Sequence, residues 1–322
     1  MPPAPAYAAV AGDAVIVEPR PLRRLPVVAR NVWDQLPQDA WTMHILHGQH
    51  VQSRLRHAEE VRPVVASGRL RLLPLARLLD SIGIVSTSSS RKWYNAMLLD
   101  SAFWRSFRAP LLLLFEADTA LCPSPRWPLH AFAGFGYVGA PWAPYSDNRF
   151  PHWCRNLGSC VGNSGLSLWS RPTMENVTAR PPSAYEAIVA EYLSVPKGVA
   201  TKRGVGSVRA LYERRANLSF SDKLIDHIDV WASVLLQSLE HAGALPVALP
   251  GGAVPPSTVA ARFSVETLYT TKADAWVPVG VHKPHAYLPS AHVQRLYERC
   301  KPAQELAWWM NESLSGPLLW EL

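Results

Sequence analysis

Along the chain, short apolar runs alternate with stretches in which apolar residues recur every three or four positions. Ala14 to Val17 gives a buried-strand signal that closes in Glu18-Pro19-Arg20, and Leu25 to Leu36 follows with helical spacing and Pro37 behind it. Trp41 to Leu46 reads as a second strand before the polar turn His47-Gly48-Gln49. Val51 to Ala66 reads as a helix and Leu70 to Leu73 as another short strand. Lys92 to Phe107 carries an aromatic-rich helical period and leads into Leu111 to Phe115, four leucines and a phenylalanine without polar alternation. Such a run suits a strand buried on both faces of a parallel sheet. Val161 to Arg171 holds a turn bracketed by Gly162 and Gly165, then an alternating strand with Leu166 and Leu168 on one face. Ser221 to Leu239 is helical by period and Leu245 to Ser257 is a Pro/Gly-rich loop. Ala291 to Leu314 reads as a final amphipathic helix with Leu296, Tyr297, Leu306 and Trp309 as packing positions. This alternation predicts an α/β fold, a Rossmann-type three-layer sandwich around a central, mostly parallel sheet. No repeat or linker interrupts it. A single domain is expected over 13–290, with a disordered Pro/Ala tail at 1–12 and a C-terminal helix, 291–322, packed on the domain.

Composition narrows the class. Of 322 residues, 48% are hydrophobic and 18% charged, the balance of a folded globular chain. The formal net charge of +7 favours an anionic partner, yet the basic residues are scattered and accompany no DNA- or RNA-binding motif. A phosphorylated small molecule therefore fits better than nucleic acid. The densest basic stretch, Lys197 to Arg215, reads as a solvated face. Thirteen tryptophans suit either deep packing or a carbohydrate-facing groove. Four cysteines do not make a disulfide scaffold at this length, although Cys154 and Cys160 flank one loop and would pair in an oxidising compartment. The opening residues, MPPAPAYAAVAGDA, lack the basic and apolar regions of a signal peptide. No run approaches the roughly 18 apolar residues of a membrane span. Cytoplasm and secretory lumen both stay open.

The sharpest chemical signal follows the apolar run, where the chain reads Glu116-Ala117-Asp118-Thr119. Carboxylates are almost never buried unless paired or coordinated. Two of them, one residue apart where a strand leaves its sheet, can aim oxygens at a shared cation outside the C-terminal edge, where open α/β sheets bind ligands. The same tetrapeptide would also serve as a strand-end cap. Glycines at 162 and 165 would let a ligand approach the backbone, as would any hairpin or bulge. Asp222, Asp226 and Asp229 lie near a helix start, where the helix dipole favours acids in any case.

Taken in order, AVIVEPRP, WYNAMLLDSAFWRSF, LLLLFEADTALC, YVGAPW, VGNSGLSLWSR, HIDVWAS, FSVET and PVGVHKPHAYL resemble an uncharacterised glycosyltransferase-like domain family whose members look like GT-A fold sugar transferases. The likeness runs from about Val15 to Leu288. It implies a GT-A-like fold and transfer of a sugar from a nucleotide-sugar donor to an acceptor hydroxyl on a glycan, protein or small molecule. Glu116 and Asp118 fall where such enzymes bind a divalent cation, Mn²⁺ or Mg²⁺, although the family commonly carries an amide at the first position. His282, in a His-Lys-Pro motif, would be a metal or phosphate ligand. Gly162, Asn163 and Gly165 match a donor-sugar wall, with Ser164 replacing a glycine, and Glu18 and Arg20 would contact the nucleotide. Asp229 matches the second acid of a Glu-Asp pair that supplies the general base; Ile228 stands in place of the first. That substitution sustains an alternative, a pseudoenzyme that binds a nucleotide sugar or glycan without transfer. A nucleotidyltransferase-like phosphoryl enzyme is a third reading. Trp142 and Trp231 are candidates for stacking on sugar rings or for the core.

Overall fold

The structure, a computed structural model, describes residues 10–49, 51–84, 92–142, 158–194, 228–270, 272 and 275–312. Its frame is a six-stranded sheet of β1 (Gly12–Glu18), β2 (Trp41–His47), β3 (Leu70–Pro74), β4 (Leu111–Phe115), β6 (Tyr137–Val138) and β7 (Leu166–Ser170). A second, three-stranded sheet joins β5 (Thr119–Leu121), β8 (Ser264–Val265) and β9 (Gly280–His282). The large sheet runs in the order β3-β2-β1-β4-β7-β6. Its first four strands are parallel, with Ile16 level with Ile45 and Val15 with Leu114. β7 reverses direction against β4, setting Leu113 opposite Leu168.

Every residue of β4 is buried, because both faces of the sheet are covered. On one face Ala14, Ile16, Leu113, Leu166 and Leu168 pack with Val28, Val32 and Trp33 of α1 (Leu25–Gln35). On the other Val15, Leu112, Leu114 and Trp169 pack with helices later in the chain. Burying one such leucine contributes roughly 1.5–3 kcal/mol, so the apolar run anchors the strand that carries the carboxylates.

Three predicted helices are each two. Residues 51–66 divide into α2 (Val51–His57) and α3 (Arg62–Ala66), since Pro63 lacks an N–H and fits only a first turn. After α4 (Leu75–Ser81), residues 92–107 divide into α5 (Lys92–Leu98) and α6 (Ser101–Arg105). Here the Asp100 carboxylate accepts the Ala102 N–H at 2.7 Å and starts a fresh helix. Beyond α7 (Arg171–Thr178) and α8 (Glu186–Ser194) comes α9 (Ile228–His241), apolar on nearly all sides and buried to match. The helix expected from Ser221 is described only from 228, so Asp222 and Asp226 lie outside the described residues. Next come α10 (Ser257–Phe263), the short α11 (Pro284–Tyr287), α12 (Ser290–Arg299) and α13 (Lys301–Glu312). The last two replace the single C-terminal helix, Pro302 having no N–H with which to continue the preceding turn.

Cys300, at the junction of α12 and α13, forms a disulfide with Cys122 just after β5, the two Cα atoms 5.0 Å apart. The pairing read from the sequence concerns only Cys154 and Cys160, and this long-range link is a separate feature. The partners are 178 residues apart, and no spacing signal reaches that far. Cys154 and the basic stretch 197–215 lie outside the described residues. Trp142 and Trp231 are buried in the core, which removes both as sugar-stacking platforms. Among the described residues, no helix is long and apolar enough to cross a membrane.

Candidate functional site

The C-terminal end of β4 delivers Glu116 and Asp118, both half-buried. They are set by a backbone anchor: the Glu116 N–H donates to the Gly165 carbonyl at 2.8 Å, and the Thr119 hydroxyl donates to the same oxygen at 2.7 Å. The antiparallel pairing of β5 with β9 places Thr119 level with His282, which brings an imidazole 164 residues away in the chain (282 − 118) against Asp118. His282 Nε2 lies 3.2 Å from Asp118 Oδ1 and 3.4 Å from Glu116 Oε2. The three side chains offer ligand atoms within 4.8 Å of one another. Lys283 completes the cluster, its Nζ 3.3 Å from Glu116 Oε2 and 3.2 Å from Asp118 Oδ2. Its backbone is left-handed, φ 44°, which is uncommon for a side chain of this size.

The donor set fits a divalent cation. Around an octahedral ion with bonds near 2.1 Å, adjacent donor atoms sit about 3.0 Å apart, close to the separations seen here. Asp118 Oδ1 and His282 Nε2 are buried and lack an aligned hydrogen bond despite their proximity, a deficit that a shared ion would satisfy. Burial pushes each carboxyl up, but His282 and Lys283 outweigh it and hold Glu116 and Asp118 well below the usual carboxylate range. Burial alone would lower the His282 pKa; Asp118, Glu116 and Glu266 raise it well above the ordinary imidazole value. Carboxylate and imidazole donors suit Mn²⁺, and the carboxylates also suit Mg²⁺.

A second strand of contacts links the glycine loop to α9. Gly165 donates its N–H to Asn163 Oδ1 at 2.7 Å, and Asn163 donates its own N–H to Asp229 Oδ2 at 3.0 Å. Asp229 Oδ1 accepts the Val230 N–H at 2.9 Å. Asn163 has φ 83°, a conformation Asn tolerates better than most residues, and its Nδ2 is buried without a hydrogen bond. A Cβ at Gly165 would fall on the His282 ring, so glycine is what allows the loop to touch the cluster. At Gly162 a Cβ would fall on the Trp142 indole, giving that glycine a packing reason.

Glu18 and Arg20, at the end of β1, bind each other through two 2.7 Å contacts. The hydrogen bonds that Arg20 donates to Glu18 raise its pKa against the lowering effect of burial, and Asp118 and Glu116 add to the rise. Arg24 donates to the Ala117 carbonyl at 2.8 Å and also feels Asp118. The carboxylates are thus flanked by cations.

The structure therefore gathers Glu116, Asp118, His282, Asn163, Gly165 and Asp229, with Glu18 and Arg20 paired at the margin. Sequence reasoning missed four contributors. Lys283 and Glu266 stood inside motifs already recognised, VHKPH and FSVET, but neither was singled out. Burial raises the pKa of Tyr94, on α5, with Glu116 and Asp229 adding to the rise. Tyr137 is fully buried, its hydroxyl lacks a hydrogen bond, and burial with Asp229 and Glu266 raises its pKa. Both tyrosines sat in aromatic runs that read equally well as core.

Three solved glycosyltransferases are similar in structure at low sequence identity. The galactosyltransferase LgtC, solved with donor and acceptor sugar analogues, is 14% identical with a TM-score of 0.45, over 96% of this chain and 98% of that one. The bifunctional glycosyltransferase WbbM is 9% identical with a TM-score of 0.44, over 95% and 52%. The mannosyltransferase PcManGT from Pyrobaculum calidifontis, solved with GDP-Man and Mn²⁺, is 14% identical with a TM-score of 0.35, over 97% and 77%. No curated protein matches the chain in sequence. Residues 84–282, which span the carboxylates, the glycine loop, Asp229 and His282, match the family described as protein of unknown function DUF5672, and the chain belongs to that family.

Proposed function

We propose that the chain is a metal-assisted glycosyltransferase that moves a sugar from a nucleotide-sugar donor to an acceptor hydroxyl. One observation carries this reading: two carboxylates and an imidazole from distant segments converge at the C-terminal edge of a parallel sheet, touching a glycine loop that leads to a further carboxylate. Glu116, Asp118 and His282 would hold Mn²⁺ or Mg²⁺. When bound, such an ion supplies charge to a leaving diphosphate. Lys283, already against both carboxylates, and Arg20 and Arg24 nearby would draw in the anionic donor and hold its phosphates. Asn163 and Gly165 would line the sugar, with the buried Asn163 amide free to donate to a sugar hydroxyl. Asp229 would accept the proton of the attacking acceptor hydroxyl. Its two oxygens also accept the Asn163 and Val230 backbone N–H groups, which ties the acid to the glycine loop.

The test is thermal stabilisation by nucleoside diphosphates and their sugars, with and without Mn²⁺, in the unmodified protein and in Asp118→Asn. We expect Mn²⁺-dependent stabilisation that disappears in the variant while the fold persists. Equal nucleotide binding by the two proteins would sink the metal assignment. Binding without transfer is the second reading, favoured by the engagement of Asp229 as a loop and helix anchor beside the buried Ile228. Donor hydrolysis and transfer to a broad acceptor panel separate the two, since a pseudoenzyme binds donor and never turns over.

A further inference from the structure

Glu266 lies immediately after β8, is buried, and places Oε1 3.2 Å from His282 Nδ1. No other hydrogen bond to either His282 ring nitrogen is present among the described residues. The opposite nitrogen, Nε2, is buried, has no aligned hydrogen bond and faces Glu116 and Asp118. An imidazole offers a lone pair on one nitrogen only when the proton sits on the other. A carboxylate behind a ligating histidine fixes that choice and the ring plane together. β8 runs parallel beside β9, with Val265 level with Val281, so Glu266, just past β8, comes beside His282, the last residue of β9. The ring is boxed in further by Gly165, whose absent Cβ makes room for it.

We propose that Glu266 is a positioning residue for a divalent cation: it accepts the Nδ1–H of His282 and so presents Nε2 to the ion shared with Glu116 and Asp118. The assignment rests on the metal-site reading above and extends it to a residue that makes no contact with the ion. What Glu266 must supply is a hydrogen-bond acceptor at this position, which a glutamine carbonyl also supplies. A leucine of similar bulk supplies none.

The experiment measures Mn²⁺ affinity in the presence of saturating UDP, reading free Mn²⁺ by electron paramagnetic resonance, for the unmodified protein, Glu266→Gln and Glu266→Leu. Histidine ¹⁵N–¹H correlations of the unmodified protein loaded with Mg²⁺ and UDP report which ring nitrogen of His282 carries the proton. We expect Glu266→Leu to weaken Mn²⁺ binding about 10- to 100-fold, Glu266→Gln to stay within about threefold, and the His282 proton to reside on Nδ1. Glutamine losing as much as leucine would mean that charge, not hydrogen-bond acceptance, is what matters, and would overturn the proposal. A folded leucine variant with unchanged affinity, or a proton found on Nε2, would overturn it as well while leaving the metal site intact. Should Glu266→Leu fail to fold, the glutamine variant and the proton position still decide the matter. If the unmodified protein binds no Mn²⁺, both this inference and the reading beneath it fall.

Discussion

Gly165 shows how much one residue can be asked to do. Its carbonyl accepts from Glu116 and Thr119, its N–H donates to Asn163, and its bare α-carbon faces the His282 ring. Gly165→Ala would drive a methyl into the imidazole, and overpacking of this kind costs typically about 1–3 kcal/mol. We expect a moderately lower unfolding midpoint together with a larger loss of Mn²⁺ binding, because relief of the clash must displace a ligand. Melting curves and Mn²⁺ titration check this, and a variant that melts lower yet binds Mn²⁺ normally would separate the loop from the site. At this scale the sequence was informative where polarity broke sharply. Glu116 and Asp118 end a run of five apolar residues, and that discontinuity is visible without a structure. Glu266 and Tyr94 carry no such contrast; their meaning arises from strand pairing and helix packing across long stretches of chain.

Strands were legible for the same reason: β1, β2, β3 and β4 are short apolar runs with turn residues behind them. The two- and three-residue strands β5, β8 and β9 are too short for any period to emerge, although they position His282. Helices were legible in place but not in length, because a continuous apolar period hid the breaks at Pro63, Asp100 and Pro302. The N-terminal end of the central parallel strands depends on one side chain. Asp13, at the start of β1, accepts from the Arg108 and Ala109 N–H groups at 3.2 and 3.0 Å and pairs with His44 of β2 at 2.8 Å. It thereby fastens β1, β2 and the entry to β4. Burial pushes its carboxyl up, but His44 and the two backbone donors more than offset this and leave the pKa below the ordinary value. A depressed folded pKa gives stability that is complete above the unfolded value of about 3.9 and is lost as pH falls through the folded one. Replacing Asp13 with alanine is expected to lower stability by about 1–3 kcal/mol at pH 7. The gap between variant and unmodified protein would narrow below about pH 3.9. Urea denaturation at pH 7 and pH 3 measures both, and a pH-independent gap would assign the loss to packing alone.

For the molecule as a whole, the layered α/β order was readable from alternation, whereas the reversal of β7 was not, since a buried strand reads the same in either direction. The disulfide was also beyond reach of local pattern, yet it is the strongest long-range constraint described. Closing a loop of 178 residues restricts the unfolded chain by about 5 kcal/mol in the chain-entropy account. Reduction, or Cys300→Ser, is expected to move the guanidinium midpoint downward, and an unchanged midpoint would show that the covalent link adds nothing to the packing around it. The same bond turns much of the protein into a covalent ring. Glu116 and Asp118 sit on the tail outside it, while His282 and Lys283 belong to the ring itself, so the metal cluster is assembled where tail meets ring. A protease cutting once within 123–299 would therefore open the ring without releasing either half. The nicked protein would migrate as one species until a reductant was added, with both halves of the cluster still joined through Cys122 and Cys300.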